Sequence, residues 1–173
     1  DDKSAAARTA LALALLRRGE TAKALEAAEA LRVIEPDKPG PFLLMGTIQI
    51  VAGDWEKARA ALREAQRVAP TVPNAPMTIA MLDLQEGYGE RALDGYKKIL
   101  ETNPTLGQAA LGAGNIELAR GNEDAALAFY EKAYLQDVYQ TYGIRAASRE
   151  EAELLIADLK RKESADREAS ERQ

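Results

Sequence analysis

The sequence has no cysteine and no histidine. The first absence excludes disulfides and thiol chemistry. The second removes the commonest general base and the commonest metal ligand. Aromatic residues make up only 5 % of the 173 residues. No apolar run approaches the roughly 20 residues that a membrane-spanning helix requires. Valine, isoleucine and threonine nowhere cluster into the alternating pattern of a strand. Charge is only mildly one-sided, net −5 from 23 basic and 28 acidic residues, which argues against a nucleic-acid surface. Phosphate-binding and dinucleotide-binding glycine motifs are missing. Gly121-Asn122-Glu123-Asp124 is acidic but lacks the ligand spacing of a calcium loop and reads as a turn between helices. With no site to argue from, the expectation is a non-enzyme with no catalytic residue, no cofactor and no metal. The chain starts Asp1-Asp2-Lys3 without a methionine, which reads as a fragment or a processed product.

The sequence is rich in helix formers. Apolar residues are 46 % and charged residues 29 %, and alanine and leucine with Glu, Arg and Lys point to an all-α chain. The chain also repeats. Gly19, Gly53, Gly87 and Gly121 are spaced 34 residues apart, and each is followed five positions later by Ala24, Ala58, Ala92 or Ala126. A small residue stands seven positions before each glycine: Ala12, Gly46, Ala80 and Gly114. Pro36, Pro70 and Pro104 close the first three copies, and Val138 stands at that place in the fourth. The physics gives each residue a task. Gly53 ends one helix in a left-handed conformation. Asp54 is placed to cap the next helix. Gly46 and Ala58 let two helices approach closely, and Pro70 stops the second helix.

Gly46, Gly53-Asp54-Trp55, Ala58, Leu62, Ala65 and Pro70, recurring at a 34-residue period, resemble the tetratricopeptide repeat family. The resemblance covers residues 5–140. It implies a right-handed α-solenoid of four helix-turn-helix repeats, about 5–38, 39–72, 73–106 and 107–140, each with a helix A and a helix B. Ser148-Arg149-Glu150-Glu151 reads as a capping box, opening a capping helix over 141–160 with the stripe Ala152, Leu155, Ile156 and Leu159. Residues 161–173 are purely polar, with pairs such as Glu163–Arg167 and Glu168–Arg172. They read as a charged helical extension or a disordered tail. Gly95 and Gly112, inside expected helices, have no packing reason visible in sequence and read as local weak points.

The resemblance also implies a protein-binding scaffold or adaptor whose concave surface is one face of the A helices. That face carries Thr9, Leu13 and Arg17 in the first repeat, and Leu43, Thr47 and Ile50 in the second. In the third it carries Met77, Met81 and Leu84, and in the fourth Leu111, Asn115 and Leu118. Arg17 and Asn115 are too few and too far apart to clamp a peptide carboxylate. The expected partner is a protein or peptide segment, an amphipathic helix above all, with no nucleic acid and no membrane insertion. Two alternatives stand beside it. One is a self-assembling homo-oligomer using the first helix, which is apolar nearly all round. The other is a regulatory or targeting domain of a longer enzyme. Tyr130, Tyr134, Tyr139 and Tyr142 are expected to pack the last repeat against its cap. The alanine- and arginine-rich repeats are similar in style to bacterial tetratricopeptide proteins of envelope assembly, those serving exopolysaccharide export or pilus biogenesis. That similarity implies an envelope or periplasmic setting ahead of a cytoplasmic one.

Overall fold

The computed structural model describes residues 2–143, 146, 148–155, 157, 158 and 161. The tail pairs expected beyond Arg161, and Ile156 and Leu159 of the cap stripe, lie outside the described residues. Eight helices follow one another: α1 (Asp2–Arg17), α2 (Thr21–Ile34), α3 (Pro39–Val51), α4 (Trp55–Val68), α5 (Asn74–Gln85), α6 (Gly89–Thr102), α7 (Gly107–Ala119) and α8 (Glu123–Tyr142). Residues 149–155 are also helical, and no strand occurs among the described residues. The fold is an α-solenoid of helix-turn-helix repeats with a capping helix. Odd-numbered helices are the A helices and even-numbered ones the B helices.

The turn between A and B is the same four times. Gly19, Gly53, Gly87 and Gly121 have φ of +77°, +79°, +85° and +80°. The amide after each glycine donates to the carbonyl five residues back: Glu20 to Leu15, Asp54 to Gln49, Tyr88 to Asp83 and Asn122 to Glu117, at 3.0, 2.9, 2.7 and 2.9 Å. The glycine amide donates three residues back, as from Gly53 to Ile50 at 3.0 Å. This is a Schellman closure, and it needs only a residue free to enter the left-handed region. It uses the backbone of the following residue, so Glu, Asp, Tyr and Asn serve equally there. The expectation that Asp54 caps α4 is therefore corrected. Its side chain makes no cap hydrogen bond and instead accepts one from Lys57 Nζ at 2.9 Å. At Ser148 the serine half of the capping box forms, with Ser148 Oγ accepting from the Glu151 amide at 3.2 Å.

The chain divides into two compact units, Asp1–Gly95 and Tyr96–Gln173. In the first, one apolar cluster joins Ala12, Ala24, Ala28 and Leu31 to Leu44 and Ile48 of α3. A second joins Phe42, Ala58, Leu62 and Ala65 to Ala75 and Leu82 of α5. Ala58 is fully buried. A Cβ on Gly46 would lie 2.9 Å from Leu62 Cγ, so the small residue is what lets α3 and α4 approach. In the second unit, tyrosine rings fill this role. A Cβ on Gly114 would lie 2.7 Å from Tyr130 Cε1, and one on Gly112 would lie 2.7 Å from Tyr96 Cζ. Gly112 is thus a seat for a ring, not a weak point. Gly95 also has a neighbour, since its Cβ would meet Ala80 Cβ at 3.2 Å.

With Val138 where earlier repeats have proline, α8 continues to Tyr142 and ends at Gly143 in a left-handed closure, φ +69°. Val138 is buried. The cap expected over 141–160 starts only at 149, because 141 and 142 still belong to α8; Ala152 of its stripe is fully buried, whereas Leu155 is 38 % exposed. Of the four tyrosines, Tyr130 covers Gly114 and Tyr134 lies 5.9 Å beneath the Arg149 guanidinium. Tyr139 and Tyr142 are exposed.

Candidate functional site

The A helices carry the candidate residues at i, i+4 and i+7 or i+8, one stripe on each helix. In the first unit, α1 holds Thr9, Leu13 and Arg17, α3 holds Leu43, Thr47 and Ile50, and α5 holds Met77, Met81 and Leu84. Leu13, Arg17, Thr47, Met81 and Leu84 are exposed, with Met81 58 % open. Thr9, Leu43, Ile50 and Met77 are half-buried. Leu43 and Ile50 are drawn against the Phe42–Leu62 cluster, so they are shared between core and surface. In the second unit, Leu111, Asn115 and Leu118 of α7 are all exposed.

One register marks the contrast. Ala12, Gly46, Ala80 and Gly114 are buried, and the next residue in each case, Leu13, Thr47, Met81 and Asn115, is exposed. Two of the polar members are masked. Thr9 Oγ donates to the Ala5 carbonyl at 3.0 Å and Thr47 Oγ to the Leu43 carbonyl at 2.9 Å. Hydroxyls bonded back into their own helix make the face more apolar than its composition indicates. The Asn115 side-chain oxygen accepts from the Tyr130 hydroxyl at 2.8 Å. That bond engages one of the two polar anchors seen in sequence.

Leu111 also borders a cleft of about 770 Å³ within the second unit, lined by Gln108, Tyr130, Tyr134, Gln136 and Asp137 among others. Its walls combine aromatic rings with amide and carboxylate groups. A cleft of about 680 Å³ in the first unit is lined by the ion pairs Glu29–Arg32 and Glu64–Arg67 beside apolar Phe42, Met45 and Ala61, and holds none of the candidate residues. Among the described residues, no helix is long and apolar enough to cross a membrane. None of their acidic side chains gather in a group of three that could hold a metal.

A second polar register escaped the sequence reading. Gln49, Asp83 and Glu117 are spaced 34 apart and all three are buried. Asp83 accepts from Arg59 at 2.7 Å and pairs with Arg91 at 3.0 Å, and Arg59 also pairs with Glu86. Arg59 is 3 % exposed, so this ion group locks α4 to α5. Glu117 accepts from Asn122 at 2.8 Å and Lys97 at 3.3 Å. The Asn122 hydrogen bond first, and the Lys97 hydrogen bond after it, hold the Glu117 carboxyl below the usual range against the opposing effect of burial. Gln49 Oε1 is buried with no hydrogen-bond partner. The signal was present at the partner position: Arg59 stands where Leu25, Leu93 and Leu127 stand in the other repeats.

The tetratricopeptide repeat family profile matches residues 5–35 and 39–64, the first repeat and most of the second. No curated protein sequence matches the chain. Solved structures with the same fold are plentiful. A MamA crystal structure superposes with a TM-score of 0.67 at 17 % identity, covering 81 % of this chain and 82 % of that one. A tetratricopeptide repeat protein from Parabacteroides merdae gives 0.62 at 21 % identity, over 79 % of this chain and 58 % of the other. TTC0263, a thermophilic TPR protein in Thermus thermophilus, gives 0.61 at 24 % identity, over 75 % and 72 %. The profile match at the N-terminal end, the same punctuation continuing through Gly87 and Gly121, and this fold in common support a tetratricopeptide repeat assignment for the chain.

Proposed function

We propose that this chain is a protein-binding scaffold that takes an amphipathic helix against the exposed stripe of its A helices. Tetratricopeptide repeats serve in general as interaction scaffolds and are generally not enzymes. The observation that carries the finer reading is the exposure of Leu13, Met81, Leu84, Leu111 and Leu118 on their A helices. Exposed apolar stripes of this kind mark interaction surfaces, and methionine adapts to varied apolar partners. The style of the repeats points to bacterial envelope assembly as the setting, with exopolysaccharide export and pilus biogenesis as the two processes it resembles.

Binding of this type draws on apolar burial and depends weakly on salt, unlike recognition of a charged terminus. The test is titration of a panel of amphipathic helical peptides into the wild-type chain and into Met81→Glu, over a salt series. Loss of a buried methionine contact, about 1.5–3 kcal/mol, weakens binding roughly 10- to 100-fold. Met81→Glu binding as tightly as the wild type, or wild-type binding that collapses at high salt, would overturn the reading.

A further inference from the structure

The cleft of about 680 Å³ in the first unit has a floor made by one stripe of α3. Phe42, Met45 and Gln49 stand three and four residues apart, so they share a face over about 10 Å. Phe42 and Gln49 are buried and Met45 half-buried. Residues of α2 and α4 form the walls. Glu29 pairs with Arg32 and Glu64 with Arg67, each inside its own helix, so these charges make no demand on a ligand. Three acidic and three basic side chains line the cleft, which leaves it without net charge.

Gln49 has a polar need that the chain does not meet. It is 8 % exposed, it lines the cleft, and its Oε1 has no hydrogen-bond partner. The repeat register shows why. Asp83 is served by Arg59 and Arg91, and Glu117 by Lys97 and Asn122. The residues at those four places around Gln49 are Leu25, Lys57, Glu29 and Asp54. The side chains of Leu25, Glu29 and Asp54 carry no donor as leucine and ionised carboxylates. Lys57 does, but Asp54 takes its ammonium at 2.9 Å. A buried acceptor left unmet lowers stability, and places where a chain breaks a packing rule are where binding groups are expected.

We infer that this cleft is a second binding site, and that its occupant is an extended, uncharged polypeptide segment with apolar side chains. A backbone N–H of the segment donates to Gln49 Oε1, and a backbone carbonyl accepts from the Gln49 amide nitrogen. Apolar side chains of the segment cover Phe42, Met45 and Ala61. Three residues of extended chain span about 10 Å, the length of the floor. The last torsion of a glutamine is soft, so the amide turns to the segment without moving α3. With the wall charges already paired, binding depends weakly on salt. The cleft shares no residue with the A-helix stripe, so either site can fail without the other.

The experiment is a chemical-shift titration of the isotope-labelled full chain with the capped peptide acetyl-Val-Leu-Val-amide. The Gln49 side-chain amide resonances shift and saturate. Gln49→Leu binds the peptide about tenfold more weakly, the loss of one hydrogen bond at a buried site. Analogues with one backbone N–H replaced by an ester oxygen locate the donor. One of them binds the wild type about tenfold more weakly than the parent peptide, yet binds Gln49→Leu as well as the parent does. Met81→Glu binds like the wild type. Should Gln49→Leu unfold, Ala60→Arg carries the test: Ala60 is exposed on the cleft wall, and the longer side chain blocks the cleft. No saturable shift of the Gln49 amide at millimolar peptide overturns the proposal. So does undiminished binding by Gln49→Leu or by Ala60→Arg, or binding that Met81→Glu abolishes, which would put the peptide on the A-helix stripe.

Discussion

At Gln49 the repeat register exposes a mismatch. The same position holds Asp83 and Glu117, each satisfied by a basic partner, Arg59 or Lys97. The Arg59 register in the preceding repeat holds Leu25, which offers no donor. Gln49 Oε1 is consequently buried without a partner. An unmet buried acceptor costs about 1–3 kcal/mol, whereas an apolar group of similar shape costs nothing of this kind. Gln49→Leu should therefore raise the stability by about 1 kcal/mol, the low end of that range, read as a higher urea midpoint at unchanged slope. A lower midpoint would mean that the amide makes a contact worth more than the unmet oxygen costs. The reverse holds at Arg59. Removing one partner of a buried pair leaves a charge uncompensated, so this register tolerates apolar or paired residues but not half of a pair.

The elements are set by punctuation and by the side chains that cross between them. The positive-φ glycines close α1, α3, α5 and α7 with backbone bonds alone. Interior glycines differ from one another because of what lies above them. Gly112 sits under the Tyr96 ring, whereas Gly89, in the first turn of α6, has nothing within 4 Å of a would-be Cβ. Gly112→Ala should push the ring aside and destabilise the chain by about 1–3 kcal/mol. Gly89→Ala adds no clash and restricts the unfolded chain, so it should stabilise by about 0.5 kcal/mol. Thermal unfolding of both variants checks the pair. Equal shifts, or a stabilised Gly112→Ala, would show that the tyrosine is not held where the structure places it.

For the whole molecule, stability is close to a sum of repeat terms and nearest-neighbour interfaces. Damage at one interface should then stay near it. In Gly112→Ala, amide exchange should speed up in α7 and α8 while α2 and α3 keep wild-type rates. Exchange that quickens throughout would show that the chain opens as one cooperative body.

The sequence by itself determined the all-α class, the 34-residue repeat, the four helix-ending glycines, the close-packing positions Gly46 and Gly114, and the cap that starts at Ser148. These features are local or recur at fixed spacing, and backbone geometry dictates the residue type: only glycine enters the left-handed turn without strain, and only a small residue lets two helices touch. Of the A-helix stripe, the residues after Ala12, Gly46, Ala80 and Gly114 are exposed in every repeat, whereas Thr9, Leu43, Ile50 and Met77 are half-buried, a division the sequence did not indicate. Tertiary structure decided the rest. Asp54 has a capping residue's identity, but the Schellman closure already uses its amide and Lys57 takes its carboxylate. Gly112 looked like a gap until Tyr96 was placed over it. Thr9 and Thr47 count as polar in a sequence, yet their hydroxyls turn back into the helix. Asp83 is a surface residue by type, and the approach of Arg59 and Arg91 from the neighbouring helices makes its burial tolerable. In each case the outcome depends on a partner brought in by packing, which a residue's own spacing along the chain does not specify.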